Sequence, residues 1–156
     1  MKEIFEELKA LVTGEWRGEG YAKFPTITAT AYSEVLTFEP DADKDLVRFE
    51  QKTRYKNQTA DNGKTVFWDT GFIVLKEDKI LLISAQSGGR VETYELGEFK
   101  DNRLTFNSII ISNDIKTVCS QRVFHLSAAN LNYELNMSTK QAVEFQNHLS
   151  ARLEKF

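Results

Sequence analysis

Few side chains in this sequence are equipped for chemistry: it holds two histidines and a single cysteine. Cys119 and His125 share one face of a strand-like segment, but six extended positions separate them by roughly 20 Å, too far for a thiol to meet its base. A zinc site with three protein ligands would have to recruit carboxylates from scattered segments. No GxSxG elbow, Walker A sequence, HExxH pair or GxGxxG turn opening a helix occurs. One cysteine can form neither an internal disulfide nor a CxxC arrangement, which fits a reducing compartment. His125, within "QRVFHLS", reads as an ordinary strand histidine. His148 is different in position. It stands in the closing "EFQNHLSARLEKF", at the start of an alternating apolar run. A neutral imidazole there could be the one fixed point of a ligand site that the domain encloses, or a surface residue.

The elements that must position it follow from composition and period. A chain of 156 residues fits one domain, 1–156, and is long enough to bury roughly 70% of its unfolded surface. The net charge of −3 and pI near 5.5 give no basic excess, so no nucleic-acid partner is expected. "MKEIFEELKALV" places Ile4, Phe5, Leu8, Leu11 and Val12 at helical spacing with charges between them, so a short amphipathic helix is expected rather than a signal peptide. No run approaches the roughly 18 apolar residues of a membrane span. A soluble, cytoplasmic protein with no membrane partner is expected.

From Gly14 onward the pattern alternates with a period of two. "VRFEQKTRY" sets Val47, Phe49, Gln51, Thr53 and Tyr55 on one face, and "KILLISAQ", "RVETYELGEF", "RLTFNSIII" and "NLNYELNMS" are similarly strand-like. Turn residues at 40–45, 57–64, 76–79, 87–89, 100–103, 112–114 and 127–130 separate them. About ten strands in simple succession predict an all-β, antiparallel up-and-down barrel of lipocalin or fatty-acid-binding-protein type, because closure removes exposed strand edges. Pro25 and Pro40 fall at strand ends or turns. Such a barrel encloses side chains alone or one small apolar ligand. The eleven phenylalanines could line a cavity of that kind, and the same alternation fits plain core packing. "GEWRGEG" puts Gly14, Trp16, Gly18 and Gly20 on one strand face. Close strand approach with a tryptophan plug and direct ligand contact are both open readings of that motif.

The dispersed motifs resemble the nitrobindin family, haem-binding barrels also found as the C-terminal domain of some THAP-type proteins. "GEWRGEG" resembles its GxWxGxG, "FPTI" at 24–27 its YPTI, and "DTGFIVLK" at 69–76 its acidic-x-Gly-aromatic segment. "LLISAQSGGRVETYELGEF", "LNMST" and "NHLSARLEKF" resemble its later segments in consistent order. The resemblance implies a b-type haem with His148 as proximal iron ligand, an open sixth position and Thr26 at the haem site. It also implies binding of nitric oxide and isomerisation of peroxynitrite to nitrate. Where the family often carries a Met-His pair, the sequence has Val66 and Phe67, which makes the distal wall apolar, and Phe24 stands for the tyrosine of YPTI. A second reading keeps the barrel as a carrier of a fatty acid or other apolar ligand, with Arg54, Arg90 or Arg122 facing inward to meet a carboxylate. A third is a filled barrel serving as an interaction domain.

Overall fold

The computed structural model describes residues 1–24 and 28–156. Thr26 and Pro25 therefore lie outside the described residues. One helix, α1 (Lys2–Val12), precedes the strands β1 (Gly14–Ala22), β2 (Thr30–Pro40), β3 (Leu46–Tyr55), β4 (Thr65–Lys76) and β5 (Lys79–Gln86). They are followed by β6 (Val91–Lys100), β7 (Arg103–Ser112), β8 (Thr117–Leu126), β9 (Asn130–Thr139) and β10 (Gln146–Lys155). Each strand pairs antiparallel with the next, and β10 returns to pair with β1, so among the described residues the expected up-and-down barrel closes with ten strands and no free edge.

The helix covers one end. Phe5, Leu8 and Val12, spaced by three and four, form its buried face and join the core. Its N-terminus reaches two turns of that end through Met1 to Asp78 at 3.7 Å and through the Lys2–Asp45 ion pair. Trp16, fully buried at the start of β1, donates its indole N–H to the Val12 carbonyl at 2.8 Å and so ties helix to barrel. Glycines complete that face of β1 for steric reasons. A Cβ on Gly18 would lie 2.0 Å from the Arg152 carbonyl oxygen, and one on Gly20 would lie 2.2 Å from that of Ser150. The "GEWRGEG" motif is thus close strand approach plus a plug. We expect Trp16→Phe to lower unfolding free energy by about 1–3 kcal/mol, since it leaves the buried Val12 carbonyl unpaired. Denaturant unfolding at wild-type midpoint would contradict this.

The interior is layered. Next to the helix-covered end sits an aromatic cluster in which Phe124 meets Phe38, Phe106 and Tyr133 at ring-centroid distances of 6.0, 6.2 and 5.1 Å. These phenylalanines fill the barrel rather than line a cavity. The predicted inner face of β3 holds: Val47, Phe49, Gln51 and Thr53 are all buried.

Above the aromatic layer lies a belt of buried polar groups. Arg122 is ion-paired with Asp69, and Ser84 donates to Asp69 at 2.6 Å while accepting from Arg122 at 3.0 Å. Glu92 accepts from Gln86, Tyr94 and Ser120. Burial in a low-dielectric interior makes such groups costly unless they satisfy one another, which this belt largely does.

Candidate functional site

The opposite end of the barrel is open. A cavity of about 820 Å³ lies there, walled by Phe24, Val66 and Phe67 on one side and by Gln86, Arg90, Thr117 and Met137 on another, with His148 between. Its size is that of a site for one medium-sized organic ligand. The filled-barrel reading is therefore not what the structure shows.

His148 owes its place to a local irregularity. In β10 the inward residues are Leu149, Ala151 and Leu153, so strict alternation would turn His148 outward. The register with β9 shifts between Asn147 and Leu149, and this bulge turns His148 inward beside Leu149, leaving the imidazole only 2% exposed. The Lys23 amide donates to the His148 carbonyl at 2.8 Å and holds the bulged backbone. The preceding segment, 140–145, is irregular rather than a helical turn. Phe24 meets the imidazole edge-on, with centroids 5.5 Å apart at 78°, and stacks in turn on Phe67 at 6.0 Å.

The ring is oriented yet unused. Its Nδ1 is buried and has no hydrogen-bond partner among the described residues. Burial, and after it the positive charge of Arg90, lowers the imidazole pKa, so the ring is neutral with a lone pair available at neutral pH. A neutral imidazole in an apolar cavity, short of a partner, is the donor that a haem iron takes as an axial ligand. Val66 and Phe67 both line the cavity, as expected for an apolar wall without hydrogen-bond donors.

The three candidate arginines part company. Arg54 is exposed and donates to the Gly63 carbonyl. Arg90 faces the cavity but is held by Glu92 at 3.3 Å and Asp114 at 3.2 Å. Asp114 is itself kept ionised: burial alone would raise its pKa, but hydrogen bonds from Thr117, from the Lys116 and Thr117 amides and from Arg90 hold it at about 2. Arg122 is fully buried in the belt; burial would lower its pKa, but the Asp69 carboxylate beside it keeps the guanidinium charged. Neither inward arginine is left unneutralised for a fatty-acid carboxylate. Gly14, Trp16, Gly18 and Gly20 do not line the cavity, and His125 is exposed on the outer wall. Deeper in the barrel, burial pushes the Glu34 carboxyl up to about 7 even though Gln51 donates a hydrogen bond to it at 2.7 Å.

Comparison with known proteins places the chain in a family. The family model described as "THAP4-like, heme-binding beta-barrel domain" matches residues 5–155. The chain belongs to that family. Its haem-binding character, and the nitrobindin resemblance carried by the dispersed motifs, rest on nearly the whole length. Peroxynitrite isomerase Rv2717c of Arabidopsis thaliana is 31% identical over 147 residues, covering 91% of this chain and 83% of its own. Peroxynitrite isomerase 1 of Rhodococcus jostii (strain RHA1) is 30% identical over 129 residues, covering 80% and 70%. In fold, the chain is similar to the crystal structure of Rv2717c from M. tuberculosis, with a TM-score of 0.72, 24% identity and coverage of 93% and 92%. The family's polar motifs gain a physical meaning here. Asp69 of "DTGF" and Ser84 and Gln86 of "SAQ" build the buried belt, and Gln86 also reaches the cavity wall.

Proposed function

We propose that the open end binds a b-type haem with His148 as its single protein ligand to iron, and that the ferric protein isomerises peroxynitrite to nitrate and binds nitric oxide. The observation that carries this is the buried His148 imidazole, turned into an 820 Å³ cavity with its Nδ1 unpartnered among the described residues. When bound, the iron would supply an open coordination position at which ONOO⁻ rearranges to NO₃⁻, a step that conserves atoms and charge and needs no reductant. The chain's own residues do the rest. His148 is kept neutral by burial, and Phe24 fixes the plane of its ring. Phe24, Val66 and Phe67 form an apolar wall that offers neither a hydrogen-bond donor nor a proton. Glu92 and Asp114 hold Arg90 at the rim. No side chain is assigned as a general acid or base, since an isomerisation without net proton transfer requires none. The single cysteine and the absence of any possible internal disulfide support a reducing, cytoplasmic setting.

Titration of the purified chain with haemin tests this. A saturable Soret shift at one haemin per chain, followed by faster peroxynitrite decay with nitrate as product, is the expected result. No saturable shift would overturn the proposal. The pH dependence has a definite sign. Protons compete with iron for the imidazole, and the folded-state pKa lies below the ordinary value of about 6.5. Haemin affinity is therefore expected to hold between about pH 8 and about pH 6.5 and to fall only below that. An apparent midpoint at or above the free-imidazole value would contradict the buried, neutral histidine.

A further inference from the structure

The connections of an up-and-down barrel alternate between its two ends, so charge that looks mixed along the sequence can be sorted in space. It is sorted here. The connections at the open end, residues 23–29, 56–64, 87–90, 113–116 and 140–145, carry Lys23, Lys56, Lys64, Arg90, Lys116 and Lys140 against three acidic residues, a net of +3. The helix segment and the turns of the covered end, 1–13, 41–45, 77–78, 101–102 and 127–129, carry nine acidic against three basic residues, a net of −6. The strands between contribute nothing net. The chain is a charge dipole whose positive pole surrounds the cavity mouth.

The same rim carries apolar side chains that no described residue covers. Ile115 is 81% exposed, Val143 75% and Phe145 52%. Ile115 precedes Lys116, and Val143 and Phe145 lie in the connection that begins at Lys140. Lys116 and Lys140 are exposed and enter no ion pair among the described residues. Unpaired lysines interleaved with protruding aliphatic and aromatic side chains match a surface that is anionic at its face and apolar just beneath.

We propose that the open end of the barrel docks on bilayers containing anionic phospholipid, with Ile115, Val143 and Phe145 entering the headgroup boundary and Lys116 and Lys140 meeting the phosphates. No helix among the described residues is long and apolar enough to cross a membrane, so this is peripheral docking. The expectation of no membrane partner rested on the lack of a spanning apolar run, which does not bear on peripheral docking, and the chain-wide net charge of −3 conceals the separation of the poles. The docking does not depend on iron ligation by His148.

Co-sedimentation of the full chain, without haemin, tests it against vesicles of phosphatidylcholine alone and of phosphatidylcholine with about one-third phosphatidylglycerol. Binding to the anionic vesicles alone, weakened by salt, is expected. Lys116→Glu with Lys140→Glu is expected to lower the partition coefficient on the order of tenfold or more, and Val143→Ser with Phe145→Ser to lower it several-fold. Lys44→Glu, at the covered end, should leave it unchanged. All these positions are exposed or at turns, and thermal melting confirms the fold of each variant. Equal binding to both vesicle types, no binding to either, or a lysine variant that binds like the wild type would overturn the proposal. Retention on an acidic protein without vesicle binding would do so as well.

Discussion

Replacing His148 with alanine is expected to abolish the saturable haemin Soret shift while leaving the far-ultraviolet circular dichroism unchanged. The two readouts separate because the imidazole contributes little to folding. Its Nδ1 is buried without a partner among the described residues, a condition that costs about 1–3 kcal/mol, and its removal relieves that cost while enlarging a cavity already open to solvent. The apo variant should therefore melt at or above the wild-type temperature near neutral pH. Loss of an outer-shell partner alone weakens metal sites by about 10- to 100-fold, so loss of the proposed iron ligand should exceed about 100-fold. Added free imidazole should restore the Soret band by occupying the vacated space, which a merely structural histidine would not predict. The stability sign is also fixed. With the folded pKa lowered, the unfolded chain takes up its proton first, so the wild type loses stability as pH falls from about 6.5 toward the folded value. The alanine variant should lack that component. Full haemin affinity in His148→Ala would place the iron ligand elsewhere and end this assignment.

Much of this architecture could be read from the residues, and the exceptions have physical causes. Period-two alternation and turn residues gave the strands, because inward and outward positions in a closed barrel differ in solvent exposure. His148 is the instructive exception. Its parity relative to Leu149, Ala151 and Leu153 points it outward, and only the bulge after Asn147 turns it in. A bulge depends on how two strands meet, so alternation within one strand cannot announce it. The resemblance of "NHLSARLEKF" to a known segment was the available signal. The phenylalanines stood open between lining a cavity and plain packing for a related reason: alternation places Phe38, Phe49, Phe106 and Phe124 inside but not at which height, and they pack the covered end. Arg122 is a third case. Its inward position was open among three arginines, and its partner Asp69 lies 53 positions away on a strand that β8 does not pair with.

That pair yields the second large effect. Arg122→Met is expected to destabilise the fold by about 3–5 kcal/mol, because it leaves the buried Asp69 carboxyl, whose pKa burial already raises, without its countercharge and with Ser84 as its remaining donor. For a chain of this size the melting temperature should fall by roughly 6–20 °C. Asp69→Asn alone should cost a similar amount, since it strands a guanidinium met by the Tyr94 and Phe49 rings, at 4.9 and 6.0 Å, and by the Ser84 hydroxyl but by no carboxylate at bonding distance among the described residues. The double variant should recover most of the loss, because the desolvation of two ions disappears together with their attraction, and the amide keeps the hydrogen bond from Ser84. Recovery measured in a denaturant double-mutant cycle would assign the pair to specifying the belt rather than to net stability. A single Arg122→Met variant within about 1 kcal/mol of the wild type would show that water reaches Asp69 and that the belt is not sealed. The haemin response discriminates further. The belt holds Glu92, which holds Arg90 at the rim, so these variants should shift haemin affinity modestly while leaving the His148-dependent Soret position in place. A belt that positions the rim without touching iron would show that combination, and a ligand-bearing layer would not.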